Sequence, residues 1–515
     1  MGANSSKLND LPQSTRYVSE KRPVRVSAVT DGELVDQLSK YLTLGTAVTS
    51  DVASGEISGL SNPLTAANIQ SWEDKLLSDP KNRLAQSAIT VGNLTDIVKV
   101  RNAIVEDNIH VFSNVVEFEG TPITNQRSSG RCWLFASTNI FRVAVQQKYG
   151  IPSFELSQAY LFFYDKLEKS NYFLQNIIET ADLELDSKLV QTLLSDPVSD
   201  GGQWDMVVNL VEKYGLIPQS LFPDSFNAQN SAKLDYIVVN KLREYALLLR
   251  KAAAASSSSS NTTQGDTLRV LTTLKEKFVQ EIFNILVITL GSPPKANDVF
   301  TWEFLDGEGK AHTVTTTPLD FYKSVVKFDA PQHFSLIHDP RNAYNKLYTV
   351  DRLNNFVDGK KIEYVNVDID VLKEAAIAAI KNNEPVFFGS DVGKFSETAS
   401  GIMDVKAWDY KLAFNTSLGL NKADRVRVGS SAMTHAMVLT GVHLVDGKPV
   451  KWKVMNSWGA AVGDKGYMTM SDAWFDEYVY QVVTAGTYVA KEVTDIWKGK
   501  DYVVLPRWDP YGSLA

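Results

Sequence analysis

The residues with the clearest chemical potential surround the single cysteine of the chain, Cys132. A loop rich in Ser and Gly precedes it and apolar residues at helical spacing follow it, so a helix is predicted to begin there. The unpaired amides and positive dipole end of a helix N-terminus favour a thiolate and lower the thiol pKa. The sequence therefore predicts a nucleophile. The alternative is a small buried apolar residue, as most lone cysteines are.

A second candidate lies on the same loop, six residues before the cysteine. The side-chain amide of Gln126 could point back at the reacting centre. Together with the backbone N–H of Cys132 it would form an oxyanion hole with two donors, which stabilises the charge that develops on an attacked carbonyl oxygen.

A thiol nucleophile needs an imidazole partner, and His435 is the first choice. It opens an apolar strand, where a rigid scaffold can aim the ring. His443 lies eight residues further on, an even separation that lets both side chains share a face of the strand. Position alone favours His435 and leaves His443 open. The other four histidines lie in predicted turns, loops or the N-terminal arm: His110, His312, His333 and His338.

The imidazole must in turn be oriented by a third group. Asn456 follows the apolar strand 452–454, and its side-chain oxygen can accept a hydrogen bond from the ring. Trp458 could shield that bond from water. Taken by itself, Asn456-Ser457-Trp458-Gly459 would rather indicate a hairpin turn with an aromatic plug.

The elements that must position these residues follow from hydrophobic spacing and from turn signals. Helices are predicted at 66–105, 130–150, 157–174, 206–214, 271–285 and 372–380. Strands are predicted at 111–119, 385–389, 433–442 and 450–454, with a hairpin at Asp446-Gly447. The Ala/Ser run from Ala252 to Gly265 predicts an exposed flexible connection.

Composition places the chain among folded soluble proteins. It has 515 residues, of which 44% are hydrophobic and 22% charged, enough for about three domains. The net charge of −8 does not favour a protein built as a whole to coat nucleic acid. A single cysteine excludes an intramolecular disulfide and indicates a reducing compartment. No apolar run is long enough for a transmembrane helix or a secretory signal, so we expect a cytoplasmic protein.

The first 62 residues are predicted to be a flexible extension. Its opening fits the pattern for myristoylation of Gly2, and a basic, serine-containing stretch suggests a mitochondrial pool. Acidic residues interrupt that stretch: Asp10, Glu20 and Asp31.

Taken together, these elements resemble the papain superfamily of cysteine peptidases, which uses a Cys-His-Asn arrangement. The resemblance implies an α+β fold of two lobes, one helical and one like a β-barrel. It implies Cys132 as nucleophile, His435 rather than His443 as base and acid, Asn456 as its orienter and Gln126 as oxyanion donor. It also implies that Gly201 and Gly202 line the cleft and bind the substrate backbone.

The spacing departs from the usual papain pattern. His435 follows Cys132 by 303 residues, whereas about 130–150 is usual, so an insertion lies within about 220–365. This insertion and the absence of disulfides are similar to the bleomycin hydrolase branch. Further segments resemble that branch, namely 132–136, 156–163, 433–437 and the tail 508–515.

That resemblance implies an intracellular cysteine aminopeptidase, acting on peptides and amino-acid amides through a thioester. It implies a homohexamer whose sites face an internal channel. It further implies that a C-terminal arm, residues 501–515, lies in the cleft with Ala515 facing the substrate amino group. The predicted divisions are 1–62 (extension), 63–220 (helical lobe), 221–363 (mainly helical insertion), 364–500 (β-rich lobe) and 501–515 (arm).

Three other classes stay open at this point. A transglutaminase-like acyl transferase would need an Asp and a nearer histidine. A secreted papain-like zymogen would need a signal and more cysteines. Weak nucleic-acid binding could use the basic surplus of 233–277, although a solvated helix face is the favoured interpretation. No metal constellation is evident, and no cofactor is predicted.

Overall fold

The structure is a computed structural model that describes residues 64–257 and 263–514. The predicted extension 1–62, with Gly2, and the terminal Ala515 lie outside the described residues. The chain divides into two compact units, Met1–Ser78 and Asp79–Ala515. In the first unit the structure describes the helix Ala66–Leu77, which begins where the Thr65 hydroxyl accepts the Asn68 amide.

The second unit begins with short helices where the sequence predicted one helical stretch. They span Pro80–Ile89, Leu94–Ile97 and Arg101–Asp107. The chain breaks between them because Asp79 and Asn93 cap new helices with their side chains.

Three longer helices build the lobe that carries the cysteine. Cys132–Tyr149 ends at Gly150, whose φ of 62° is the left-handed conformation that suits glycine. Gln158–Glu179 begins where the Ser157 hydroxyl accepts the Tyr160 amide. Trp204–Tyr214 ends at Gly215 as predicted. A shorter helix, Lys188–Ser195, lies between them in the chain.

Two long helices follow, Ala232–Ser257 and Gln264–Leu290. The prediction of a flexible connection from Ala252 to Gly265 is wrong at both ends, because helix covers Ala252–Ser257 and resumes at Gln264. Alanine has the highest helix propensity, and Thr263 and Asp266 form a reciprocal capping box that starts the second helix. Gly291 caps its end, two residues before the Pro293-Pro294 stop signal.

Fourteen strands lie among the described residues. They are β1 (Asn114–Val115), β2 (Phe300–Leu305), β3 (Ala311–Thr316), β4 (His333–Ile337), β5 (Lys346–Val350), β6 (Tyr364–Asn366), β7 (Val386–Ser390), β8 (Ser396–Glu397), β9 (Ile402–Met403), β10 (His435–Val445), β11 (Lys448–Met455), β12 (Tyr467–Ser471), β13 (Val479–Ala485) and β14 (Tyr502–Leu505). β2 and β3 form a separate hairpin. The others form one sheet in the order β14-β5-β6-β4-β13-β7-β10-β11-β12-β9-β8, with β1 paired to β10.

The part of the chain predicted as a mainly helical insertion is helical in its first half and contains strands in its second half. Its long helices end at Leu290, and β2 to β5 follow, with short helical segments between β3 and β4. β4 pairs with β13 in the middle of the large sheet, so this segment belongs to the sheet. His312 lies on β3, not in a turn, because the Thr-rich alternation there faces solvent on one side and packs against Trp302 and Phe304 on the other.

The sheet brings the two distant ends of the predicted site together. β10 and β11 are antiparallel neighbours, with Val438 opposite Met455, joined at Asp446-Gly447 as predicted. His435 opens β10 and Asn456 directly follows β11, so both lie at the same end of the pair. On the other side, His435 is opposite Ser390 of β7.

The buried core falls into two clusters. One fills the helical lobe around Trp133, Phe163 and Trp204, and the other packs helix Ile369–Lys381 against the sheet. A helical lobe beside a β-rich lobe agrees with the predicted α+β fold of two lobes. In the described part of the chain, no helix has the length and apolarity that a bilayer crossing requires. Short helices complete the second unit: Phe226–Gln229, Pro318–Asp320, Tyr410–Phe414, Lys422–Arg427, Asp472–Tyr478 and Lys491–Gly499.

Candidate active site

Cys132 is the first residue of its helix, as the sequence predicted, and it is almost fully buried. The backbone amides of Cys132, Trp133 and Ala436 interact with its sulfur. The first two are amides at the helix N-terminus that have no partner within the helix. Ala436 is the neighbour of His435 on β10, so the sulfur lies where the helix and the strand meet.

Burial decides the protonation of both groups. It raises the pKa of the Cys132 thiol to about 11, although the backbone amides oppose the rise. It also lowers the pKa of His435 to about 4, while the hydrogen bond that the ring donates to Asn456 opposes the fall. The predicted lowering of the thiol pKa is therefore wrong for this closed site. In this closed site burial therefore favours the neutral form of each group.

The predicted orienting residue is in place. Nε2 of His435 lies 2.9 Å from Oδ1 of Asn456, which fixes the ring and leaves Nδ1 for the thiol. The Trp458 ring lies 4.9 Å from the His435 ring, centroid to centroid, and covers it. Asn456 is itself held, because its Oδ1 also accepts the Ser457 amide at 2.8 Å and its Nδ2 contacts the Met468 sulfur. The turn that follows β11 thus keeps the imidazole in one orientation.

Gln126 joins the cysteine loop to the loop that carries Asn456. Its backbone amide donates to Ser457 O at 2.8 Å, and its Oε1 accepts the Ser457 hydroxyl at 2.7 Å. Its Nε2 donates one hydrogen to Ser129 O at 2.7 Å. An amide nitrogen carries two hydrogens, so one more can reach an acceptor. The side chain is fixed at both ends before any substrate arrives.

Gly201 and Gly202 lie against the cysteine helix. A Cβ on Gly202 would stand 2.4 Å from the Trp133 ring, so no larger residue fits without displacement. The Trp133 indole N–H donates to Asp200 O at 2.7 Å. The Gly201 carbonyl accepts the Lys169 ammonium at 2.6 Å. The two glycines therefore form a wall fixed beside Cys132.

The C-terminal arm passes the same place. Ser513 O accepts the Gln203 side-chain amide at 3.1 Å, one residue beyond Gly202. Tyr511 is buried and its hydroxyl donates to His338 O at 2.6 Å. Asp509 pairs with Arg341 at 2.9 Å. A small pocket between the arm and β10 is lined by Val426, Ala432, Met433, Tyr480, Pro510, Tyr511 and Ser513.

The other histidines are used elsewhere. His443 pairs with Lys451 toward the other end of β10, away from the end that carries His435. His312 pairs with Asp306 at 2.7 Å, and His338 lies between Tyr344 and Lys422 at 2.9 Å from each. His333 contacts Asp329 O, and His110 lies near Thr469.

Sequence reasoning missed the residues behind the wall. Asp200 and two buried lysines, Lys166 and Lys169, hold the 199–202 loop. A signal did exist, because two lysines three residues apart interrupt an aromatic-rich helix that must be buried. The sequence pattern also assigned no role to Ser457, whose hydroxyl donates to Gln126 Oε1.

Half of the basic residues of 233–277 already bind groups of the same chain. Lys241 pairs with Glu244, and Lys275 donates to Gln175. Arg243 donates to the carbonyls of Leu194 and Ser195, and Arg250 to that of Thr180. Among the described residues no cluster of three or more His, Cys, Asp or Glu has metal-binding geometry.

Comparison with known proteins gives concordant similarities over most of the chain. A model of the Peptidase C1-like family matches residues 63–512. Bleomycin hydrolase of Mus musculus is 43% identical over 468 residues, covering 89% of this chain and 99% of the mouse protein. Cysteine proteinase 1, mitochondrial, of Saccharomyces cerevisiae is 41% identical over 462 residues, covering 88% of this chain and 94% of the yeast protein. The crystal structure of PepW from Lactobacillus rhamnosis HN001 matches with a TM-score of 0.84 at 40% identity, covering 88% of this chain and 100% of PepW.

Proposed function

The chain belongs to the Peptidase C1-like family, and we propose that it is a cysteine aminopeptidase of bleomycin-hydrolase type with Cys132 as its nucleophile. The observation that carries the assignment is the convergence at one point of the helix N-terminus, the Ala436 amide and the His435–Asn456 hydrogen bond. A thiol, an imidazole and a group that orients the imidazole are the parts that covalent acyl transfer requires.

The reaction follows from these parts. His435 takes the thiol proton while the sulfur attacks the carbonyl carbon, and the carbonyl oxygen becomes an oxyanion. The second N–H of Gln126 and the backbone N–H of Cys132 bind that oxyanion. The imidazolium then protonates the departing amine and a thioester remains. Water, deprotonated by the same imidazole, hydrolyses the thioester and restores the thiol.

The C-terminal arm would determine which end of a peptide is cleaved. Its contacts with Gln203, His338 and Arg341 support a fixed position of the arm at the end of the wall formed by Gly201 and Gly202. The terminal carboxylate of Ala515 would attract the free ammonium of a substrate. The arm would also exclude residues beyond the first few, so cleavage would be confined to the N-terminus of a peptide.

The test is to remove Gly512–Ala515 and to compare fluorogenic amino-acid amides with their N-blocked forms. We expect the wild type to prefer the free amines. The truncated protein should lose activity on them and gain activity on blocked substrates. Cys132→Ser is the matched control, and it should be inactive on both while keeping its thermal midpoint. An unchanged preference after truncation would remove the arm from the proposal, and an active Cys132→Ser would remove the nucleophile.

Assembly and location belong to the same proposal. A homohexamer is the assembly that the sequence resemblance implies, and light scattering of the purified protein would test it. A cytoplasmic location is supported by the single cysteine, which suits a reducing compartment. The yeast relative is named as mitochondrial, so fractionation should sample both compartments.

Weak nucleic-acid binding stays a prediction. Its test is an electrophoretic shift with Cys132→Ser, in which binding should fade steeply with salt. A shift that is insensitive to salt, or no shift at low salt, would reject it.

A further inference from the structure

The wall beside Cys132 rests on two lysines that are buried inside the helical lobe. Lys166 has no exposed side-chain area, and its ammonium lies 2.6 Å from a carboxylate oxygen of Asp200 and 2.6 Å from one of Asp235. Lys169 is nearly as buried and donates to the carbonyls of Ser199 at 3.2 Å and Gly201 at 2.6 Å. Buried lysines are rare and are kept only where partners meet their charge. Both are directed at the loop 199–202.

Asp200 connects these lysines to the nucleophile. Its second carboxylate oxygen accepts the Gly130 amide at 2.9 Å and the Ser231 hydroxyl at 2.5 Å. Its backbone carbonyl accepts the Trp133 indole N–H at 2.7 Å. Gly130 and Trp133 flank Arg131 and Cys132 in the chain. One residue therefore holds both sides of the nucleophile, and Gly201 and Gly202 follow it directly.

The approach of the two loops is as close as their backbones allow. A Cβ on Gly130 would stand 2.7 Å from the Cβ of Asp200. A Cβ on Gly202 would overlap the Trp133 ring. A side chain at either glycine would force neighbouring atoms apart, and at Gly130 it would lengthen the hydrogen bond to Asp200.

The charge of Asp200 does not itself activate the thiol. A negative charge near a thiol disfavours the thiolate, and Asp200 is among the causes that raise the pKa of Cys132. The contribution of Asp200 to the reaction must therefore be geometric. The Lys166 ammonium holds the pKa of Asp200 well below its usual range, so the carboxylate stays an acceptor.

We propose that Asp200, held by buried Lys166, is a positioning residue that fixes the Cys132 loop and the wall of Gly201 and Gly202 relative to each other. The inference rests on the proposed function, because it assigns Asp200 a part in that reaction. A displacement of about 1 Å between reacting groups costs about 10²-fold in rate. Loss of the Asp200 contact should thus lower kcat through the Cys132 loop and raise KM through the wall.

The test compares two variants that differ in one acceptor. Lys166→Met removes the buried cation, and in that background Asp200→Asn keeps an oxygen for the Gly130 amide whereas Asp200→Ala does not. Active enzyme is counted by titration with a substrate-like irreversible inhibitor, which reacts with Cys132 only in the folded site, and kcat and KM are expressed per labelled site. We expect the Asn variant to stay within about tenfold of the wild type and the Ala variant to fall about 10²-fold further in kcat/KM.

Asp235→Asn is the matched control. It removes a charge from the same lysine and does not touch Gly130, so kcat and KM per labelled site should be unchanged. Gly130→Ala is the independent variant for the case that the double variants do not fold. It alters no charge and should reproduce the loss in kcat and the rise in KM.

The outcomes separate the inference from the proposed function. A purely structural Asp200 would lower the fraction of labelled enzyme and leave kcat and KM per site equal in the Asn and Ala variants, which would overturn the inference. The same holds if Gly130→Ala keeps both constants. If the wild type has no thiol-dependent aminopeptidase activity, the proposed function fails instead.

Discussion

The two sides of the candidate site are held by different kinds of interaction. Cys132 and its loop depend on a few buried side chains, chiefly Asp200 and Lys166, and on close backbone approach at two glycines. His435 and Asn456 depend on the ladder of β7, β10 and β11, whose hydrogen bonds come from the backbone. Backbone pairing tolerates most changes of side chain, whereas a buried ion pair fails when one partner is removed. The cysteine side should therefore be the more fragile of the two.

The two sides meet through Gln126 and Ser457. Gln126 belongs to the cysteine loop, yet two of its hydrogen bonds go to Ser457 beside Asn456. A displacement of either loop would therefore also displace the Gln126 side chain, the proposed oxyanion donor. Substitutions at these positions test whether the two sides differ in this way.

The largest effect is expected from His435→Ala. Without the imidazole the thiol must ionise alone, and burial raises its pKa to about 11. Turnover should fall at least about 10³-fold. Alkylation of Cys132 should be slow at neutral pH and should accelerate as the pH rises toward 11. Alkylation at the wild-type rate at pH 7 would show that the thiolate forms without His435.

The kcat/KM of the wild type should stay high down to an unusually low pH. His435 must be neutral to accept the proton, and its pKa is lowered to about 4. The competent form therefore prevails above about pH 4 and is lost as the pH falls through that value. The pH profile of kcat/KM checks this, and an acid limb near 6.5, the usual value for histidine, would contradict it.

Gln126→Ala should have the next largest effect. Removal of one oxyanion donor lowers kcat by about 10²–10³-fold, with little change in substrate affinity. Because the Gln126 side chain also links the two loops, Ser457→Ala separates the roles, since it removes the side-chain link and keeps the donor. Equal losses in the two variants would mean that Gln126 acts as a link and not as a donor.

Asn456→Ala should cost less, at most about 10²-fold, because the imidazole is misplaced but present. The ladder of β10 and β11 holds the backbone of His435 in any case. His443→Gln, on the same strand beyond the site, is the control and should remain active. An inactive His443→Gln with an active His435→Gln would reverse the assignment of the base.

Gly202→Ala should have its clearest effect on stability. Its Cβ would meet the Trp133 ring at 2.4 Å, and overpacking of this kind costs about 1–3 kcal/mol of unfolding free energy. Gly419→Ala is the matched control, since no atom lies within 4 Å of the Cβ it adds. Denaturant titration of both variants measures the difference. Equal stabilities of the two variants would show that the wall moves to accommodate the added methyl group, which would weaken the contrast between the two sides.

Much of the architecture was accessible from the sequence because it depends on local patterns. The helix that begins at Cys132, the end of a helix at Gly215 and the hairpin at Asp446-Gly447 all agree with the structure. Each depends on residues that are neighbours in the chain. Where the local pattern was ambiguous the prediction failed, as in the Ala-rich run after Ala252, whose helix propensity was given too little weight.

The sequence alone determined which residue types carry the chemistry. A single cysteine at a helix start, a histidine that opens an apolar strand and an asparagine after the next strand are visible without coordinates. Tertiary structure decided what holds these residues and in which protonation state. Asp200 and Lys166 are 34 residues apart in the chain and lie 2.6 Å apart in the fold. The pKa of Cys132 rises because distant segments bury it and outweigh its own helix amides. Desolvation depends on everything packed around a group, and no local pattern in a sequence contains that information.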